Sequence, residues 1–377
     1  MTYFLLLLTT YIWPFGQLLA FSIPALPFTV YLLDLAVFLV FISLVFSKNR
    51  KKIFSGPIVK PLFIFLGVAV LSLLINLRQG LSSGLQLSAF YLVRLIIYPS
   101  LFFATRYIGL ARLKKPLLIS IGIFSLLCLL QYLVFPDMRY LKNLGFDDHY
   151  FRLIGPFYDP NFTGAVFAGI ALYLAGNRKL LLSLPFIGLL ALTFSRASYL
   201  VFFIGQIYLL FAHKKIKLLI LLVLLGLIVY FIPKPFGEGV NLLRTFSIYS
   251  RIDSWQQGLG LFLVKPIFGW GYNTLRGVDG SRISIDNSFI YLLATTGIIG
   301  FLSFTNLLRK LYKSTKDKGI KILSVSLLIH SLFNNSLFYI WILALFWVAL
   351  GVGQPQNPKE ETFEHKHRHS RPDRESI

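Results

Sequence analysis

The chain has 377 residues, 56% of them hydrophobic and 16% aromatic, and its mean hydropathy is +0.71. This composition excludes an ordinary soluble domain, because too little polar surface is available to cover a core. The formal net charge is +22, but Lys and Arg gather in short loops between apolar runs. That distribution is typical of membrane topology and argues against nucleic acid as a partner.

Apolar runs of roughly 20 residues recur along the chain, and this is the length that crosses the hydrocarbon core of a bilayer. The sequence therefore predicts an all-α, polytopic integral membrane protein with about 12 transmembrane helices. The predicted spans are 3–22, 26–47, 60–77, 87–105, 116–135, 161–176, 179–194, 197–212, 217–233, 287–306, 320–336 and 338–353. Basic clusters follow the even-numbered spans, which predicts that both termini are cytoplasmic. Residues 1–353 form the predicted membrane domain, and the polar residues 354–377 are predicted to be a disordered cytoplasmic tail.

Two predicted external segments, 136–160 and 234–285, are too long to be simple turns. Connections of such length are usually functional or disordered. The aromatic content of the second segment predicts an ordered structure. Its stretch "YSRIDSWQQGLGLFL" has apolar residues at helical spacing, so we expect a helix lying on the membrane surface.

The stretch "RLIGPFYDPNFTG" ends the first external segment. Pro160 biases Asp159 away from helix, so Asn161 is expected at the N-cap of span six. One interpretation is a capped helix entry and nothing more. The other uses Arg152, since a guanidinium beside a membrane can bind phosphate through two parallel hydrogen bonds.

The stretch "LTFSRASYL" interrupts a long apolar region with Ser195 and Arg196. It is interpreted either as an external turn between spans seven and eight or as a site where Arg196 faces a cavity. Ionisable residues at membrane depth are costly and are therefore candidates for function.

The second external segment is unusually basic for an external loop. Its charged residues are Lys234, Arg244, Arg251, Lys265, Arg276 and Arg282 against Glu238, Asp253 and Asp279. This excess predicts an anionic ligand or lipid headgroups on the outer face. Within "KPIFGWGYNTL", Trp270 is either the anchor of a turn or part of a wall for a sugar.

Asp286 and Asn287 begin span ten, and either residue suits an N-cap. A partly desolvated Asp286 would also have a raised pKa, as a general base requires, while nearby arginines would oppose that shift. Arg94 and His330 lie within predicted spans and are interpreted as packing residues, with a headgroup contact as the alternative for Arg94. His149, the one histidine of the external segments, is expected at the surface.

Four stretches in order resemble the O-antigen ligase and Wzy-type polymerase family. They are "GPFYDPNFTGAVFAG", "LTFSRASYL", "KPIFGWGYNTL" and "DNSFIYLLATTGIIGFLSF", spread over about residues 150–306. The resemblance implies metal-independent, inverting glycosyl transfer on the external face of the bacterial inner membrane, with no cofactor. The donor would be a glycan on a polyprenyl pyrophosphate, and the acceptor a second glycan.

By motif position, the resemblance makes Arg152, Arg196 and Arg251 candidates for binding the pyrophosphate, and Asp286 the candidate base. The full set of candidate catalytic residues is Asp286, Arg196 and Arg152, and the candidate substrate-binding residues are Arg251, Asn161, Asp159, Asn287, Tyr249 and Trp270. Ligases of this family usually have His-Asn where this chain has Asp286-Asn287. The substitution favours a repeat-unit polymerase over a ligase.

Three functions are therefore considered. A polysaccharide polymerase is favoured, and an O-antigen ligase is the second possibility. A transporter or flippase of lipid-linked glycan is the alternative of another class, but it predicts internal repeats and polar residues at the bilayer midplane. Expected partners are membrane lipids and, for a polymerase, a flippase and a chain-length regulator.

Overall fold

The computed structural model describes residues 1–22, 28–77, 82–213, 219–233, 238–275 and 283–354. The predicted C-terminal tail after residue 354 lies outside these residues, as do Lys234, Arg276, Asp279 and Arg282 of the external loop. Fifteen α-helices occur within the described ranges. They are α1 Thr2–Ile12, α2 Leu32–Val45, α3 Arg50–Ile53, α4 Val59–Ile75, α5 Ser82–Ile97, α6 Ser100–Ile108, α7 Leu110–Val134, α8 Pro160–Gly176, α9 Leu180–Leu192, α10 Arg196–His213, α11 Leu219–Phe231, α12 Phe246–Val264, α13 Ser288–Ser314, α14 Lys318–His330 and α15 Ile340–Val352.

The length and hydropathy of the helices make this an all-α membrane protein. In the described part of the chain, four helical stretches are long and apolar enough to cross a bilayer: Thr2–Leu19, Gln86–Ile108, Leu110–Val134 and Ser288–Ser314. Each predicted span overlaps a helix. However, α9, α11 and α15 have 13 residues each, about 20 Å of helix against about 30 Å of hydrocarbon. The number of twelve crossings stays a prediction.

The connection between the first two predicted spans differs from expectation. Instead of continuing to residue 22, the helical path breaks at Gly16, which has φ +50°. A short antiparallel hairpin follows, with β1 Ala20–Ser22 paired to β2 Thr29–Tyr31. The break has a tertiary cause, because a Cβ at Gly16 would overlap the carbonyl of Pro156.

Helix α8 lies at the centre of the molecule, with almost all of its residues buried. Its sequence is rich in Gly and Ala, and small residues let helix backbones approach closely in a membrane. A Cβ at Gly164 would lie 2.6 Å from the Ser198 hydroxyl, and one at Gly169 would touch Ser326. Close packing against α10 and α14 thus fixes the position of the α8 N-terminus, where Asp159 and Asn161 lie.

Helix α13 is broken at Gly297, which has φ +65° and ψ −168°. Residues 266–271 of the external loop dock onto the break: the amides of Trp270 and Gly271 donate to Ala294 and Thr295, and the amide of Ile298 donates to Pro266. These bonds satisfy backbone groups that a break would otherwise leave unpaired in the membrane. The predicted span 287–306 lies within the apolar helical stretch Ser288–Ser314, and the break at Gly297 is a feature that the sequence did not predict.

Candidate active site

A cavity of about 830 Å³ lies between the N-terminus of α8, helix α12 and the segment 331–341. Its size is within the range of small-molecule and cofactor sites. Five of the nine candidate residues line it: Arg152, Asp159, Asn161, Arg251 and Asp286. The structure thus brings residues from three distant parts of the sequence to one place.

Arg152 is almost fully buried at the cavity wall, with 6% of its surface exposed. Its Nε donates to the carbonyl of Thr193 at 3.0 Å and its Nη2 to that of Phe194 at 3.3 Å. Burial and the nearby Arg244 lower the pKa of Arg152 to about 9, while Asp159 opposes this shift. The guanidinium therefore remains a cation at neutral pH, held by the turn before α10.

Arg251 and Asp286 face the cavity from α12 and from the approach to α13. Arg251 Nε donates to the carbonyl of Phe333 at 2.9 Å. Burial raises the pKa of Asp286 above its ordinary value, and Arg251 partly opposes the shift. Helix α12 also fixes the backbone of Asp286, since Ser254 Oγ accepts from its amide at 3.0 Å and Trp255 Nε1 donates to its carbonyl at 3.1 Å.

The two residues of the Asp286-Asn287 pair have different structural roles. Asn287 is the N-cap of α13, because its Oδ1 accepts from the amides of Phe289 and Ile290 at 2.9 and 3.0 Å. Its Nδ2 donates to the carbonyl of Leu332 at 2.9 Å. Asn287 is not among the residues that line the cavity. Asp286 is therefore not needed as the cap, and it is a residue of the cavity lining.

The sequence predicted Asn161 as the N-cap of α8. In the structure the N-cap is Asp159. Asp159 is extended and its Oδ1 accepts from the amide of Asn161 at 2.6 Å. Burial raises the pKa of Asp159 to about 6, and the hydrogen bond from Asn161 and the charge of Arg152 oppose this. Asn161 Oδ1 in turn accepts from Ser195 Oγ at 2.9 Å, and its carbonyl accepts from Ser198 Oγ at 3.1 Å.

Arg196 does not line the cavity. Its Nη1 donates to the carbonyls of Leu242 and Arg244, at 3.1 and 2.6 Å, and its Nη2 to Ser247 Oγ at 2.7 Å. Arg244 and Ser247 do line the cavity. Arg196 therefore stabilises part of the cavity wall through hydrogen bonds without lining the cavity itself.

Tyr249 and Trp270 also lie apart from the cavity lining. Tyr249 is 64% exposed on the outer face of α12. Trp270 Nε1 donates to the carbonyl of Leu261 at 2.9 Å, and Lys265 Nζ lies 4.1 Å from its ring centroid. Trp270 is the anchor of the segment docked on α13, as the first of the two sequence interpretations had it.

The segment between α14 and α15 contributes lining residues that sequence reasoning missed, namely Asn334, Asn335, Phe338 and Tyr339. Span eleven was predicted to reach residue 336, but α14 ends at His330. His330 Nδ1 lies 2.7 Å from Ser336 Oγ, which agrees with its interpretation as a packing residue. The signal available in the sequence was the pair of asparagines inside an apparently apolar run.

His149 is buried and lines the cavity, so the expectation of a surface residue is wrong. Only 8% of its surface is exposed. Its segment folds back through a bridge between Asp137 and Tyr150. Burial, Arg152 and Arg244 lower the pKa of His149 to about 3, so the ring is neutral at physiological pH. The Nε2 atom has no hydrogen-bond partner among the described residues.

Comparison with known proteins shows that part of this chain is similar to one protein family. Residues 180–305 match the model of a family described as O-antigen ligase, which covers about a third of the chain. The matched region includes Arg196, Arg244, Arg251 and Asp286. A search of curated proteins found no match. The region that carries the loop helix and the Asp-Asn pair is thus similar to the O-antigen ligase family.

Proposed function

We propose that this protein polymerises glycan repeat units carried on a polyprenyl pyrophosphate, by inverting glycosyl transfer without a metal. The observation that carries the proposal is the shared cavity of Arg152, Arg251 and Asp286. It combines cations suited to a diphosphate with a carboxylate suited to activating a hydroxyl. The family match supports glycosyl transfer in general.

The arginines supply the charge that the leaving group needs. Arg152 and Arg251 each use Nε on a backbone carbonyl, which fixes the guanidinium while leaving other N–H groups to meet the diphosphate. Guanidinium and phosphate form charge-assisted, two-point hydrogen bonds. Preorganised cations of this kind stabilise charge that develops as the glycosidic oxygen leaves with the pyrophosphate.

Asp286 is the proposed base. As the acceptor hydroxyl oxygen attacks the anomeric carbon of the donor, its proton passes to the Asp286 carboxylate. The new C–O bond forms as the bond from the anomeric carbon to the pyrophosphate oxygen breaks, so the configuration inverts. Partial burial brings the pKa of Asp286 closer to the working pH, which makes it a better base.

The proposed setting is the external face of a bacterial inner membrane, with both termini in the cytoplasm. The lipid-linked donor would be delivered by a flippase, and a chain-length regulator would act on the same system. In this orientation α12 lies over the outer membrane face, and its exposed apolar residues, among them Tyr249 and Leu263, would contact the lipid interface.

A ligase is the second candidate, because the matched family is described as O-antigen ligase. A ligase would use the same donor and leaving group but would deliver a finished glycan to another acceptor. Asp286, in a position where the resembled ligases have His, favours the polymerase.

Deleting the gene tests the proposal. In a polymerase null, the surface glycan should run on a gel as single repeat units that are still attached to the envelope. Loss of all attached glycan, with polymer accumulating on the lipid carrier, would indicate the ligase and overturn the polymerase proposal.

A further inference from the structure

The cavity has a second region whose lining is aromatic and amidic. Half-buried rings of Tyr31, Tyr91, Phe162 and Tyr339 line this part, together with the carboxamides of Asn273 and Asn335. Much of it comes from residues outside the family-matched stretch 180–305. The proposed catalytic chemistry uses none of these six side chains.

The aromatic rings form a continuous wall. The ring centroids of Tyr31 and Trp341 are 4.8 Å apart, those of Trp341 and Tyr339 are 5.0 Å apart, and those of Tyr339 and Phe162 are 3.8 Å apart and stacked. Phe162 directly follows Asn161, which lies beside the Asp159 cap. The aromatic wall therefore runs up to the charged part of the cavity that holds Arg152 and Asp286.

Amide groups are arranged along the same wall. Gln17 also lines the cavity, close to Tyr31 and Tyr339. Asn273 has a left-handed backbone, with φ +59°, and its Oδ1 accepts from the Tyr291 hydroxyl at 2.8 Å. The buried Oδ1 of Asn335 has no hydrogen-bond partner among the described residues. Such an acceptor is costly unless a ligand supplies a donor.

Among the residues that the structure describes, the cation of this region, Arg94, is neutralised. Arg94 forms a two-point ion pair with Asp34, with Nε–Oδ1 at 2.9 Å and Nη2–Oδ2 at 2.6 Å. Its Nη2 also donates to the carbonyl of Thr29. Tyr91 and Phe90 cover the guanidinium, with ring centroids 5.0 and 4.3 Å from its central carbon. Within the described part of the chain, this region therefore offers an acidic sugar no uncompensated cation.

We propose that this aromatic region binds an uncharged pyranose ring of the glycan, next to the bond that is being formed. Aromatic faces pack against the C–H face of a sugar, and amides hydrogen-bond its hydroxyls. The inference rests on the proposed glycosyl transfer and adds the substrate class. It also assigns the choice of sugar mainly to residues outside the family-matched stretch, so chains that share that stretch would differ in the glycan they accept.

Saturation-transfer NMR on the detergent-solubilised full chain tests the inference. The probes are the methyl glycosides of glucose, galactose and N-acetylglucosamine, with methyl glucuronide as the charged counterpart. At least one neutral glycoside should receive saturation, and the glucuronide should receive less. Tyr91→Ala and Asn335→Ala should weaken binding about two- to tenfold. Tyr140→Ala is the matched control, since this tyrosine is 52% exposed and outside the cavity lining.

Calorimetric titration with inorganic pyrophosphate separates this inference from the proposed function. Both cavity variants should bind pyrophosphate like the wild type, which also shows that they are folded. If no neutral glycoside binds, if the glucuronide binds best, or if both variants bind glycoside normally, the sugar site is wrong. If the wild type fails to bind pyrophosphate while neutral glycosides bind, the proposed function fails and the sugar site stands.

Discussion

The guanidinium of Arg196 donates to the main-chain carbonyl of Arg244 at 2.6 Å. The guanidinium of Arg244 donates hydrogen bonds to the carbonyls of Gly239 and Asn241. Arg244 also lines the cavity. Arg196 is thus a positioning residue: it fixes the segment that carries a cavity cation. An effect of Arg196 on activity would be transmitted through that segment.

Replacing Arg196 by Lys tests this role. A lysine keeps the charge but lacks the planar fork that serves Leu242, Arg244 and Ser247 together. We expect about tenfold weaker binding of inorganic pyrophosphate by calorimetry, equivalent to about 1.4 kcal/mol. Arg178→Lys, in an exposed turn, is the control and should bind normally. Pyrophosphate affinity equal to wild type in Arg196→Lys would show that charge alone matters there.

Asp286→Asn separates catalysis from binding. The amide is close in shape to the carboxylate but cannot accept the proton of the acceptor hydroxyl, so the transfer rate should fall about 10²- to 10⁴-fold. Pyrophosphate affinity should be unchanged or higher, because a negative charge near Arg251 is removed. Asp253→Asn, on the exposed face of α12, should retain full activity. An Asp286→Asn enzyme with a wild-type rate would exclude Asp286 as the base.

The pH dependence of the protein's stability should reflect the ionisation of the Asp159 carboxyl group. Its pKa is raised to about 6 by burial, so the folded protein holds this proton more tightly than the unfolded chain. The stabilising contribution is complete below the unfolded pKa, near pH 4, and is lost as the pH rises through about 6.

Asp159→Asn should therefore melt at a higher temperature than wild type at pH 7.5 and at a similar temperature at pH 4. At pH 7.5 the free energy of unfolding of the variant should exceed that of the wild type by about 1–3 kcal/mol. Asparagine caps helices as well as aspartate does, so loss of the cap is avoided. If the substitution changed the melting temperature by the same amount at pH 7.5 and at pH 4, the raised pKa of Asp159 would be contradicted.

Gly297→Ala tests the docking of the external loop on α13. The residue has φ +65°, and a Cβ there would overlap the carbonyl of Ile267. We expect a loss of about 3 kcal/mol or more, seen as a lower melting temperature in detergent. Gly67→Ala is the control, because nothing lies within 4 Å of its added Cβ and alanine is the better helix former. Equal melting temperatures for both variants would contradict the close approach.

Hydropathy and charge placed the helices well, because lipid imposes a length and a composition on each one. They could not place Gly297 as a break, since its cause is a loop 30 residues earlier in the chain. The end of α14 at His330 escaped prediction for a similar reason, because the following residues are held by Ser288, which accepts from the amide of Leu337. Local patterns cannot show such long-range contacts.

The candidate site was predicted in part. Arg152, Asp159 and Arg251 belong to stretches that are predicted from charge or from the family resemblance, and all three line one cavity. Trp270 is predicted from its aromatic side chain and its place in a resembling stretch, but it lies outside the cavity lining. The sequence predicts His149 at the surface, and its burial depends on the segment folding back through the bridge between Asp137 and Tyr150.

The central claim is tested most directly by giving the purified protein, in liposomes, only one substrate: single repeat units on polyprenyl pyrophosphate. Mass spectrometry of the lipid-linked products should reveal a series of two, three and more repeats on one carrier, with free polyprenyl pyrophosphate released for each bond formed. The series should be absent with Asp286→Asn. Recovery of only single repeats from the wild-type protein, with extension appearing only when a different acceptor is supplied, would contradict the polymerase.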